Sequence, residues 1–194
     1  VNKMPDDEIR NILKKYTGVR KNRRHKPGRA FENSYYTFDI LSDYGSFRDL
    51  QRHRLMTIEW QKMNPELGFN FPDEVKKTPY EKECKELITK SKELYEKFEI
   101  SSPHLKEYAL LFGHNIRYSI TMNVRQAFHL IELRTAKQGH ISYRKVCMKM
   151  HDQIKDIAGH SNFYELMNFT DHEEYELQRL DSEVKQAKKK ENFN

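Results

Sequence analysis

Two short stretches of this chain carry side chains that could hold a charged ligand. In the first, Arg52-His53-Arg54 sets three fixed or potential cations in a row, just after Gln51. The triplet lies between a strand-like run over 34–44 and the apolar-leaning Leu55-Met56-Thr57-Ile58. Cations placed between ordered elements read as an anion site, because burying them unpaired is costly. The plain alternative is a solvated basic helix end, where cations suit the helix dipole. The second stretch runs from Asn123-Val124-Arg125 to Arg134. On a helix, Asn123, Ala127, Leu130 and Arg134 share one face, and Arg125, His129 and Glu132 share another. Its polar start is suited to an anion. Here the plain alternative is a surface helix with an exposed Arg–Glu pair, which contributes little to stability.

Other polar features carry weaker signals. Arg20, Lys21, Arg23, Arg24, Lys26 and Arg29 crowd one loop closed by Pro27-Gly28. They could hold phosphates, but a solvated loop is the simpler reading. The nine histidines show no metal-ligand spacing; His151 and His160 flank a helical pattern, and no metal is expected. Cys84 and Cys147 are not read as nucleophiles. No phosphate-cradling glycine loop or dinucleotide fingerprint is present.

The elements that must position these residues follow from periodicity. Asp6 to Tyr16 is expected to be helical, with acids in the first turn and Ile9, Ile12, Leu13 and Tyr16 at helical spacing. Phe31 to Tyr44 is expected as a strand, with Tyr36, Phe38 and Ile40 alternating with Thr37 and Asp39. A short helix over Phe47 to Arg54 follows. After a turn-rich stretch from Asn64 to Pro79, Tyr80 to Phe98 keeps a helical rhythm. Ile116, Tyr118, Ile120 and Met122 alternate as a half-buried strand. Helices are expected over Asn123–Ala136, over Ser142–Ala158, and from Asp171 onward through Leu177, Leu180 and Val184. The sum is α+β: a helix-rich fold with a small, mostly antiparallel sheet. A single domain over 1–170 is expected, with a C-terminal helix and basic tail over 171–194.

Composition narrows the partners. The net charge of +6 comes from mixed signs, with 33% charged residues, so the chain is not a disordered polyelectrolyte. It favours anionic partners without requiring nucleic acid. Only 37% of residues are hydrophobic, but 11 Tyr and 11 Phe let aromatics carry the core. Two distant cysteines argue against a disulfide framework and fit a reducing, cytoplasmic setting. No apolar run approaches the roughly 20 residues that span a bilayer, so no membrane partner is expected.

Taken in order, the motifs resemble those of the flavin-dependent thymidylate synthases. Phe31-Glu32-Asn33 is similar to that family's Phe-Glu-His. Arg52-His53-Arg54 is similar to its Arg-His-Arg. Asn123-x-Arg125 followed by Leu133-Arg134 is similar to its Asn-x-Arg…Leu-Arg. Gln138 to Arg144 stands in the place of its His-Ala-Gln-x-Glu-Ile-Arg. The resemblance covers roughly 6–158. It implies a thymidylate-synthase-like α+β fold and reductive methylation of dUMP to dTMP. FAD is then the cofactor, with NADPH and methylenetetrahydrofolate as co-substrates. It also implies a homo-oligomer, a tetramer or pseudo-tetramer, with sites shared between chains. Carried over by position, Arg52, His53, Arg54, Asn123, Arg125 and His129 would bind FAD. Arg52 and Arg134 would bind nucleotide, and Arg134 would be catalytic by stabilising the N3 anion of the uracil.

The nucleotide side departs from the pattern. Trp60 and Lys62 stand for the family's Glu and Ser, and Met63 and Asn64 for its Gly and Arg. Glu59 lies one residue early. Asp49 replaces a Gln, and Glu107 replaces a phosphate-binding Arg. An acid facing a phosphate repels it. The segment Glu132 to His140 is also similar to a divergent branch with two such domains in one longer chain. The Val-Asn-Lys start would fit a C-terminal half. Two readings therefore stay open: an active flavin enzyme, and a non-catalytic flavin-binding or structural domain supporting a partner domain or oligomer. A basic nucleic-acid-binding domain ranks below both.

Overall fold

Alternating apolar residues make the strands. In β1, Tyr35–Asp43, the side chains of Tyr36, Phe38 and Ile40 are buried and those between them are exposed. In β3, Asn115–Asn123, Ile116, Tyr118, Ile120 and Met122 do the same. The computed structural model describes residues 4–76 and 78–175, with Val184 and Lys188. A third strand, β2, spans Thr57–Trp60. The sheet order is β1-β3-β2, so β3 is central. Val124 N–H donates to the Ser34 carbonyl and Tyr44 N–H to that of His114, which makes β1 and β3 antiparallel. The α+β class with a small antiparallel sheet is the one expected.

The chain forms two compact units. One comprises 1–36 with 121–194, the other 37–120. The first unit holds α1 (Asp6–Thr17), which starts at Pro5 with three acids in its first turn. After it, residues 31–33, expected as the start of the strand, belong instead to a 3-10 turn over Arg29–Asn33. Phe31 from that turn is buried against Tyr16, Phe128 and Phe163, with ring centroids 5.1 to 5.9 Å apart.

The second unit holds α2 (Tyr44–Leu50) and α3 (Glu81–Ser101). Asp43 caps α2 by accepting from Ser46 N–H and Ser46 Oγ, both at 2.8 Å. This helix starts and ends earlier than the expected 47–54, because the cap fixes its start at Tyr44. Helix α3 packs on a 3-10 turn at 106–109, where Ser91 Oγ donates to the Ala109 carbonyl at 2.6 Å. Of its apolar stripe only part is covered: Tyr95 is buried, while Leu87 and Leu94 are exposed.

The first unit continues with α4 (Val124–Arg134), α5 (Ile141–Asp156) and α6 (Ser161–Leu166). Helix α4 packs on α5 and on the 3-10 turn at 29–33, and α6 packs on both α5 and α1. The helix expected from Asp171 does not begin there, since 171–175 is non-helical; Leu177 and Leu180 lie outside the described residues. Helix α4 is no surface helix. Ala127, Phe128, Leu130, Ile131 and Glu132 are all buried.

Glu132 explains how a carboxylate can lie there. The Arg20 guanidinium grips both its oxygens, Nη1 at 2.7 Å from Oε1 and Nη2 against Oε2. Arg20 Nε also donates to the His25 carbonyl at 2.6 Å, and the cation lies over the rings of Phe128 and Phe169. Thus Arg20 is not part of a solvated loop, and the partner of Glu132 comes from 112 residues away. Breaking a buried pair by removing one partner leaves an uncompensated charge, at about 3–5 kcal/mol. Glu132→Ala should therefore lower stability in urea unfolding by about that amount. Replacing both partners with Leu should recover most of the loss.

Candidate functional site

The start of α4 is built by a cap. Asn123 leaves the strand and its Oδ1 accepts from Gln126 N–H at 2.8 Å. Two residues on, Arg125 is tied down: Nε donates to the Pro27 carbonyl at 2.8 Å and Nη1 to Glu32 Oε1 at 3.1 Å. Glu32 is also held by Arg29. Hydrogen bonding from Arg29, first, and the charges of Arg29 and Arg125 keep its carboxyl below the usual range. Two stretches singled out separately, 31–33 and 123–125, therefore meet through one ion pair. The expected Arg125–Glu132 neighbourhood does not form; each has a partner elsewhere.

Further along α4, His129 is half-buried and faces a positive field. Burial, and then the charges of Lys26, Arg23 and Arg134, hold its pKa below the ordinary value. Two of these cations have unmet donors. Arg23 Nη1 and Arg134 Nε are buried atoms without a hydrogen-bond partner. Such donors cost free energy unless a ligand or water satisfies them. The Arg134 guanidinium also lies over the Tyr143 ring at 5.6 Å. Tyr143 can occupy that place because Gly139 has no side chain; a methyl there would lie 2.7 Å from the ring. Nearby Cys147 is fully buried, and burial pushes its thiol up to about 12 despite the Arg134 charge, so it is no nucleophile.

The donor set suits an anion: two guanidinium groups with unmet N–H donors, a lysine and an imidazole in one field. Arg23 and Lys26 were not singled out above the rest of the basic loop. Nothing in their spacing marks them; the Arg20 anchor and the Arg125–Pro27 contact hold their loop beside α4.

The other candidate cations belong to the second unit. Arg52 and Arg54 are exposed and His53 is half-buried, in a turn beyond the end of α2. His53 N–H donates to the carbonyl of the fully buried Leu50. The turn is thus attached to the core while its arginine heads face outward. In the same unit, the residues that depart from the family pattern make structural contacts. Met63 is buried and its N–H donates to Glu107 Oε2 at 3.1 Å. Asn64 caps the 3-10 turn at Pro65–Leu67 by accepting from Glu66 N–H at 2.9 Å.

Residues 3–159 match the family model described as thymidylate synthase complementing protein. The chain belongs to that family. It is 35% identical over 181 residues to a UPF0159 protein of Chlamydia muridarum, covering 93% of this chain and 34% of that protein. A UPF0159 protein of Thermoplasma acidophilum is 33% identical over 180 residues, with 92% and 36% covered. The chain thus spans about a third of the length of these relatives. A flavin-dependent thymidylate synthase of Thermococcus onnurineus is 32% identical over 117 residues, with 54% of this chain and 47% of that one covered. Among solved structures, thymidylate synthase X of Helicobacter pylori with FAD and dUMP has the same fold. Its TM-score is 0.61 at 16% identity, over 82% of this chain and 83% of that one.

The field around His129 gives a direct test. Lys26→Ala removes one of the charges that disfavour imidazolium, so the His129 pKa should rise toward 6.5, read by NMR titration. With the folded value depressed, the stability contribution of His129 is complete above the unfolded pKa and is lost as pH falls through the folded one. Lys26→Ala should move that acid limb to lower pH-sensitivity. An unmoved His129 titration would remove Lys26 from the site.

Proposed function

We propose that this chain is a flavin-dependent thymidylate synthase-type protein, binding FAD and carrying out reductive methylation of dUMP to dTMP. The observation that carries this is Arg134, a cation on α4 whose buried Nε has no partner. It stands where the family's Asn-x-Arg…Leu-Arg pattern puts its catalytic arginine. The Helicobacter pylori relative holding FAD and dUMP supports the same ligands here.

In this reading Arg134 sets a fixed cation against the pyrimidine and stabilises its N3 anion, which polarises the ring. Asn123 contacts flavin through its amide nitrogen, because its carbonyl oxygen already caps α4. Arg125 is held rigid by Pro27 and Glu32 and presents an oriented guanidinium. His129 contacts the same flavin. Arg52, His53 and Arg54 hold FAD, and Arg52 also approaches the nucleotide. FAD, reduced by NADPH, supplies the reducing equivalents, and methylenetetrahydrofolate supplies the carbon. The exposed Leu87 and Leu94 on α3 support assembly into an oligomer, a tetramer or pseudo-tetramer with sites shared between chains. A reducing, cytoplasmic setting suits these substrates, and no described helix is long and apolar enough to cross a membrane.

One observation favours the second reading, a non-catalytic flavin-binding or structural domain that supports a partner domain or oligomer. Glu107 replaces a phosphate-binding arginine and is engaged by Met63 N–H. Its charge would repel a nucleotide phosphate.

The purified protein decides between the two. Bound FAD with tritium release from dUMP labelled at C5, given methylenetetrahydrofolate and NADPH, is the expected result. Bound FAD without release leaves the non-catalytic reading, and failure to take up FAD rejects flavin binding in either reading and leaves a structural domain. Arg134→Ala should lower turnover by about 10²–10³-fold with FAD retained, whereas Arg54→Ala should weaken FAD binding first. The reverse pattern would overturn the residue assignments.

A further inference from the structure

Away from the flavin residues, the first unit brings two histidines face to face. His151 of α5 and His172, in the segment after α6, lie with Nδ1 and Nε2 2.8 Å apart. Asp152 joins them, its Oδ1 3.9 Å from His172 Nε2. The ligand atoms of all three lie within 4.8 Å of one another. We propose that His151, Asp152 and His172 form a binding site for a divalent transition ion of the zinc class.

The orientation of His151 is the strongest support. Its Nε2 lies 3.0 Å from the Tyr164 carbonyl, which only accepts, so Nε2 carries the proton. The lone pair is therefore on Nδ1, aimed at His172. A ring nitrogen tied to a backbone carbonyl is the usual support of a metal-bound imidazole. The Tyr164 ring stacks on His151 at 4.0 Å and 15°, which fixes the ring plane.

Geometry asks for little movement. Two nitrogens bound to zinc at 2.0–2.1 Å with a tetrahedral angle lie about 3.3 Å apart. The present 2.8 Å spacing is that of a hydrogen bond, in which His172 Nε2 donates to His151 Nδ1. Zinc takes the place of that proton. His172 then carries its proton on Nδ1 instead, by exchange with solvent, and both facing lone pairs bind the ion. Asp152, half-exposed, supplies the third donor and a negative charge. The fourth position is left to water. Two imidazoles and a carboxylate are a recognised zinc donor set. Such an ion would fasten residues 168–172 to α5.

Competition with a chromogenic chelator for ZnCl2 should show one tight zinc per chain. His172→Ala should abolish it, and Asp152→Asn should weaken it by about tenfold or more. His172 is partly exposed, so its removal tests the site without relying on a buried substitution. CoCl2 should give the intense visible bands of a four-coordinate ion, without thiolate charge transfer. Zinc should raise the Tm of the unsubstituted protein and not that of His172→Ala. No zinc uptake, equal uptake by His172→Ala, or a thiolate band placing the ion at Cys84 or Cys147 would each overturn the proposal.

Discussion

The buried pair between Arg20 and Glu132 is the constraint on which the rest of the first unit depends. Desolvating two charges costs several kcal/mol per ion unless each is fully met. Here both are. Glu132 accepts from two guanidinium nitrogens and, at 3.4 Å, from Phe169 N–H. Arg20 donates to Glu132, His25 and Leu166, between two aromatic rings. Because the acid is on α4 and the base begins the loop, the pair fixes one against the other. The positive charges of Arg23 and Lys26 near His129 are a consequence of that anchoring rather than of their own spacing.

A second ion pair repeats the device at the other end of α4. Arg125 joins the helix start to Glu32 and to the backbone at Pro27. The loop is thus held at both ends, and its middle faces His129. A site built this way can keep unmet donors such as Arg23 Nη1 and Arg134 Nε, because its framework is secured elsewhere. Charge that is satisfied positions charge that is not.

Much of this was legible in the sequence where local periodicity decides. Helices α1, α4 and α5 and strand β3 fall within a residue or two of their expected places, since each carries its own apolar rhythm. Asn123 as the strand-to-helix junction was legible for the same reason. Strand β2 was not: Thr57–Trp60 buries none of its residues, so no alternation betrays it. Helix α6 has six residues, too few to show a period. Non-local pairing escaped altogether. Arg20 finds Glu132, and His151 finds His172, only after folding. Helical spacing, the only neighbour rule that a sequence offers, groups Glu132 with Arg125 instead. Of the candidate site, motif order singles out the α4 residues, whereas the cations of the basic loop come to notice only through the Arg20 anchor.

Asn123 and Arg134, at opposite ends of one helix, differ in what keeps them. Asn123 starts α4, so a chain with no catalytic duty would still need a capping residue there. Its presence says little about activity. Arg134 gives the fold a buried, unsatisfied nitrogen, which is a burden to a purely structural protein. The residue that the fold would rather be without is the one whose unmet donor calls for a ligand or water.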